Sequence, residues 1–420
     1  MIKRLSLVLL LLYLATAGVA QAQHLLAPMD GEQANHLRAY GLAYWVLQRG
    51  ERVEWLLNYR AGSFLLPDAP AVRREAALRG VTVEPLGAAG TSTVRAEIET
   101  SNMESVILEK APEIAVYATP SAQPWDDAVT LALTYAGIEY DQLWDPEVLA
   151  DRLQEYDWLH LHHEDFTGQF SKFYITYAGA GWLQEAVVRN RRVAATYGFA
   201  DVPSLKKGVA EKIREYVEGG GFMFAMCTAT ETIDLALAAL NVDIAASYAD
   251  GDGVDPDAPA RMNWERTFAF ENAELFDSPA LSAFSDIDGH LVNTPMREQL
   301  GSFELFDFSA KIDPVASMLT QNHRRVIRDY YGLTTSFRRS RIKPSVTVLA
   351  EEPNAPWVKY VHGSYGTGTW TFLGGHDPED PQHVIGDPPT DLDLYPHSPG
   401  YRLILNNVLF PAAKKKHLKT

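Results

Sequence analysis

Two short stretches, far apart in the chain, carry the residue types of nucleophilic acyl chemistry. One is Ala225-Met226-Cys227-Thr228-Ala229, which holds the only cysteine; the other is Gly374-Gly375-His376-Asp377-Pro378-Glu379. A thiol attacks a carbonyl as thiolate, so it needs an imidazole to accept its proton. A carboxylate that fixes the imidazole tautomer improves that base. On this reading Cys227 is the nucleophile, His376 the base, and Glu379 or Asp377 the group that orients it. The bland reading is that a free cysteine packs as a small hydrophobe and that a histidine after Gly-Gly is turn chemistry. A third stretch is His160-Leu161-His162-His163-Glu164-Asp165. On a strand His160 and His162 share a face and His163 opposes them. The pattern is compatible with a metal site, but no metal is assigned to it. Its milder role puts His162, His163 and Asp165, together with Thr228, against the substrate. The cysteine chemistry needs no cofactor.

The elements that must position these groups are legible. Gly219-Gly220-Gly221 reads as a turn, Phe222 to Met226 as a buried strand, and Thr228 to Leu240 as a helix with an apolar stripe. Cys227 stands at the strand-to-helix junction, where unpaired N–H groups and the helix dipole favour thiolate, as in a nucleophile elbow. Thr369 to Leu373 is a strand that delivers His376, and Asp157 to His163 is another. Open α/β sheets place their sites at such C-terminal strand ends.

Around these elements, Asp30 to Gly50 and Ala71 to Arg79 read as helices. Val53 to Leu57 and Val81 to Pro85 read as strands, and Met103 to Lys110 as helical. This alternation predicts parallel α/β layers in the N-terminal third. Phe170 to Tyr197 is aromatic and predicts an insertion over the top of the sheet. Ser345 to Ala350 and Trp357 to His362 predict paired strands, and a final helix ends near Val408. Asp250 to Asp257 is acidic and turn-rich, and lacks the glutamate of an EF-hand loop. Asn35, His36, Arg38, Trp45, Trp55, Tyr59 and Arg60 read as ordinary amphipathic surface more readily than as a pocket.

Lys3, Arg4, the apolar run Leu5 to Leu14 and Ala20-Gln21-Ala22 read as a signal peptide cleaved before Gln23. The expectation is an exported protein, periplasmic or extracellular. The net charge of −17 opposes binding to nucleic acid. No later apolar run approaches the length of a membrane span. The expected partner is a small molecule, or a glycan or peptide substrate.

The order of strand, cysteine turn and helix, then a late strand ending in His with carboxylates behind it, resembles the class I glutamine amidotransferase-like fold over roughly Glu113 to Pro411. More narrowly, the chain resembles exported Bacteroidetes-type proteins named asparagine synthetase B. The stretches carrying this are Asn35 to Gly41, Trp55 to Arg60, the Cys227 turn, Gly374 to Asp380 and Ser398 to Arg402. The resemblance implies an α/β fold with a flavodoxin-like, mostly parallel sheet and an N-terminal α/β extension. It divides the chain into 1–22, an extension at 23–110, and a domain at 111–420 with an insertion around 250–340. It implies a hydrolase or amidotransferase-like activity on an amide-type substrate; the other function open to the sequence is non-catalytic binding of a glycan or peptide. ATP-dependent asparagine synthesis is not implied, because no Ser-Gly-Gly-x-Asp-Ser or Walker A loop is present. The elbow also lacks the glycines of Gly-x-Cys-x-Gly, and Glu379 stands one position later than in His-x-Glu.

Overall fold

The computed structural model describes residues 23–121, 125–278, 283–288, 300–382 and 384–414. The signal-peptide reading of 1–22 lies outside them. Strands β1 (His24–Ala27), β2 (Val53–Leu57), β3 (Ser63–Pro67), β4 (Glu84–Leu86) and β5 (Glu104–Leu108) form one sheet of order β4-β1-β3-β2-β5. Every pairing in it is antiparallel, which corrects the parallel layers expected here. The link between β2 and β3 explains the difference. Residues 58–62 leave no room for a crossover helix, and Asn58, Arg60, Ala61 and Gly62 turn the chain with positive φ. The helix expected at Met103 to Lys110 is strand β5 instead. Val106 and Leu108 are buried while Ser105 and Ile107 are partly exposed, a period of two. The helix comes one step earlier, at Ala88–Thr100.

Helix α1 (His36–Gln48) is capped by Asn35, whose Oδ1 accepts the Arg38 N–H at 2.9 Å. It crosses α2 (Ala128–Ala136) at Gly41, where an added Cβ would collide with the Ala136 carbonyl.

The second sheet holds β6 (Ile114–Tyr117), β7 (Asp141–Leu143), β8 (Trp158–Leu161), β9 (Phe222–Met226), β10 (Ser302–Leu305), β11 (Val326–Arg328), β12 (Phe337–Arg338), β13 (Thr347–Glu351), β14 (Trp357–Tyr365) and β15 (Gly368–Leu373). Its order is β11-β10-β13-β14-β15-β9-β8-β6-β7, with β12 beside β14. The run β7-β6-β8-β9-β15 is parallel. From β15 through β14, β13 and β10 to β11 it is antiparallel. The sheet is therefore mixed, not the flavodoxin-like, mostly parallel sheet expected. A turn at Gly366, with φ of 60°, joins β14 to β15 and reverses the direction. The pairing of Ser345–Ala350 with Trp357–His362 appears as β13 against β14.

Helices α3 (Gly181–Thr196), α4 (Val202–Glu218), α5 (Thr228–Ala238) and α6 (Pro399–Leu409) complete the frame around the site. β9 is buried on both faces. Phe222, Phe224 and Met226 join the core with Ile404 and Leu405 of α6; Met223 and Ala225 join the one with Val209 and Ile213 of α4. Alternation of side chains along a strand produces this division. The Arg402 guanidinium, fully buried in α6, donates to Met29 O at 2.8 Å and Ala61 O at 2.7 Å, tying α6 to the N-terminal sheet. Among the described residues no helix is long and apolar enough to cross a membrane.

Candidate functional site

Strand register brings the candidate residues together. Leu161 of β8 pairs with Ala225 of β9, and Leu373 of β15 pairs with Met226. His162, Cys227 and Gly374 thus leave neighbouring strands at one edge of the sheet. The Ala229 N–H donates to His162 O at 3.0 Å across that edge.

Cys227 sits at the junction with φ 50° and ψ −135°, and caps α5. A non-glycine residue there stores roughly 1–3 kcal/mol of backbone strain, which persists only if its surroundings hold it. The Leu333 N–H donates to Sγ at 3.3 Å, and Thr228 Oγ1 lies 3.7 Å from Sγ. The side chain is buried. Burial pushes the thiol above its ordinary pKa, against the N–H groups of Leu333, Thr228 and Thr334 that pull it down. The thiolate expected from the helix terminus is therefore not the resting form; desolvation outweighs the local dipoles.

His376 follows Gly375, whose φ is 88°. Its N–H donates to Tyr331 O at 2.7 Å, and Gly375 N–H donates to Thr334 O at 2.8 Å. The loop 331–335 thus touches both Cys227 and the backbone of His376. The His376 ring lies 4.7 Å from that of His162 and 4.6 Å from that of His163, while those two stack at 4.0 Å and 9°. Both carboxylates named as its orienters are engaged elsewhere. Asp377 Oδ1 accepts the Glu379 N–H at 2.8 Å, and its Oδ2 accepts from Thr390 Oγ1 and Tyr401 Oη, both at 2.8 Å. Glu379 pairs with Ser398, and burial raises its pKa.

The carboxylate at the imidazoles is Asp127, to which the sequence pattern gives no catalytic signal. Its Oδ1 caps α2 through the N–H groups of Val129 and Thr130, at 2.8 and 3.0 Å. Its Oδ2 lies 3.2 Å from His162 Nδ1 and 3.3 Å from His160 Nε2. Burial works to raise its pKa, but the two imidazoles outweigh that and hold it well below the carboxylate range. An Asp before an apolar helix is the ordinary signal of an N-cap, and that signal hides its second oxygen.

Beside these histidines opens a cavity of about 390 Å³. His162, His163, Glu164, Asp165 and Lys206 form its polar side; Trp125, Phe173 and Trp182 form an aromatic wall. Trp125 packs on Trp182 at 5.2 Å and on Phe173 at 6.0 Å. The segment Phe170 to Tyr197 supplies Phe173 and Trp182 of this wall, and the stretch before α2 supplies Trp125. Burial pushes Glu164 up to about 7, with Lys206 opposing. Lys206 Nζ is 3.8 Å from Glu164 and 3.0 Å from Asp145. Asp165 turns inward, accepting from Thr167 and Ser171 N–H groups at 2.8 Å. Cys227, Thr228 and His376 do not line the cavity.

Two groups near the cavity have metal-ligand types and spacing: His162, His163 and His376, and Asp127, His160 and His162. In each, the donor atoms lie within 4.8 Å of one another. The Asn35 to Arg60 cluster is structural: Trp55 is core, and Arg60 pairs with Asp30 at 2.6 Å and Glu84 at 2.8 Å.

No protein-family model and no curated protein matches the chain. Among solved structures it is similar to the cytoplasmic protein STM3548 of Salmonella typhimurium, at 12% identity and a TM-score of 0.35, over 72% of this chain and 100% of that one. The cytoplasmic protein STM1381 of the same species aligns at 13% and 0.36, over 72% and 99%. A GH42 beta-galactosidase, Gan42B, aligns at 11% and 0.29, over 64% of this chain and 28% of its own. These scores are too low to carry a fold or an activity across. Two of these structures are named as cytoplasmic proteins, which is said of those proteins and does not bear on the expectation of export.

Proposed function

We propose that the chain is a cysteine-dependent hydrolase of an amide-type substrate, as its resemblance to class I glutamine amidotransferases implies. The backbone of Cys227 carries the reading: a strained, non-glycine strand-to-helix turn that presents a thiol among N–H donors. In this chemistry His376 accepts the Sγ proton as sulfur attacks the carbonyl carbon. Backbone N–H groups around Leu333 and Thr334 stabilise the oxyanion. The amine leaves with a proton from the imidazolium, and water then hydrolyses the thioester, returning the proton to sulfur. Because the resting thiol is protonated, the base acts during attack.

The test is hydrolysis of a panel of primary and secondary amides by the wild type, Cys227→Ala and His376→Ala. Loss of turnover in Cys227→Ala, with kcat lowered about 10²- to 10⁴-fold in His376→Ala, supports the reading. Turnover unchanged in Cys227→Ala ends it.

One observation favours a second reading. The cavity lies beside the thiol rather than over it, and its aromatic wall faces carboxylates and Lys206. That composition suits non-catalytic binding of a glycan or peptide. Quenching of Trp125 and Trp182 fluorescence by oligosaccharides, retained in Cys227→Ala, would identify such a binder.

A further inference from the structure

We infer that His162, His163 and His376 form a binding site for one divalent transition-metal ion of the zinc class, at the edge of the cavity, with Asp127 as the positioning residue behind His162. Each ring offers one nitrogen, and the three nitrogens lie within 4.8 Å of one another. Zinc–imidazole bonds of about 2.0–2.1 Å place tetrahedral ligands roughly 3.4 Å apart, so modest side-chain rotation closes the set.

The hydrogen bonding of the rings agrees with this. Buried imidazole nitrogens are ordinarily hydrogen-bonded. His162 is 1% exposed, yet neither of its ring nitrogens has a well-aligned hydrogen bond. Its Nδ1 is 3.2 Å from Asp127 Oδ2, which leaves Nε2 as the nitrogen to offer. Asp127 cannot swing away easily, because its other oxygen caps α2. A carboxylate behind a ligating histidine is the usual way such a ring is aimed. His163 Nε2 is hydrogen-bonded to Asp126 O at 2.8 Å, which makes Nδ1 the nitrogen with a lone pair for the ion. His162 and His163 both line the cavity, so an ion has an entry path and room for water in its remaining position. Three protein ligands with one open position is the arrangement of catalytic rather than structural zinc.

The ion and the cysteine chemistry compete for one ring. A His376 nitrogen bound to metal cannot take the Cys227 proton, so metal-loaded protein is silenced toward amides. This consequence rests on the cysteine reading, whereas the binding does not.

The experiment is titration of the full chain, stripped with chelator, with Co²⁺ followed by visible absorption and with Zn²⁺ followed by calorimetry. The expected result is one ion per chain and a four-coordinate cobalt spectrum. His163→Ala should weaken binding at least about 10-fold and Asp127→Asn about 10- to 100-fold. Cys227→Ser should bind as the wild type does. Absence of saturable one-to-one binding overturns the inference. So does binding unchanged in His163→Ala, or a sulfur-to-cobalt charge-transfer band that Cys227→Ser removes. His163 is only partly buried, and the far-UV spectrum and melting of metal-free His163→Ala confirm that a weakened titration comes from a folded chain. Amide turnover of metal-free protein is measured separately; its absence would end the cysteine reading without touching the cobalt result.

Discussion

Glu231, in the first turn of α5, holds the loop that borders Cys227. Its Oε1 accepts from Ser285 Oγ at 2.6 Å and its Oε2 from Thr334 Oγ1 at 3.0 Å. Burial pushes its carboxyl up to about 8, from an ordinary value of 4.5. The folded state therefore holds a proton that the unfolded chain releases near pH 4.5. That contribution is complete below pH 4.5 and is lost as pH rises through about 8. At about 1.4 kcal/mol per unit it amounts to a few kcal/mol. Glu231→Gln should flatten the fall in stability between about pH 5 and 8, as read by urea melts across that range. The sequence displayed Cys227, His376, His162 and His163 because their types are rare and stand at strand ends. It did not show what Asp127 and Glu231 bind beyond their helices, because a carboxylate at a helix start looks the same whether it serves the helix dipole or a distant partner.

At the scale of elements, close approaches set the geometry. Helices α1 and α2 meet at Gly41, where even a methyl group would strike the Ala136 carbonyl. Gly41→Ala should cost about 3 kcal/mol or more, measured by chemical denaturation. Gly375 combines a positive φ with the Tyr330 ring 2.5 Å from where a Cβ would stand. Gly375→Ala should displace His376, lowering any amide turnover and the cobalt affinity together. β8, β9 and β15 were readable as apolar runs ending in polar residues. β5 was not, because its period of two emerges only against β2, where Trp55 pairs with Val106. The reversal at Gly366 that makes the sheet mixed was readable as a turn. Which neighbour each strand would choose was not, since pairing depends on residues remote in sequence.

The two sheets act as one body through a shared core: Leu25 and Trp55 belong to the same buried cluster as Phe224 and Tyr401. Arg402 is its polar joint. Arg402→Ala would strand the carbonyls of Met29 and Ala61 and cost roughly 3–5 kcal/mol. Limited proteolysis should then cut first within residues 23–110, and a wild-type cleavage pattern would contradict this role. The alternation of strands and helices was visible, but not the antiparallel and mixed pairing that overturns the parallel layers it predicted. Nor was the joint, because Ser398 to Arg402 reads only as a helix start.

The register at β9 has a kinetic consequence. Its pairing with β8 joins segments moderately near in the chain, whereas Phe222 against Thr369 closes a very long loop. Loop-closure entropy must be met before such a contact is rewarded, so long-range parallel pairing forms slowly. Cys227, His160 and His162 should find their places early in refolding, and His376 late. Helical signal should recover first, with cobalt binding lagging behind it.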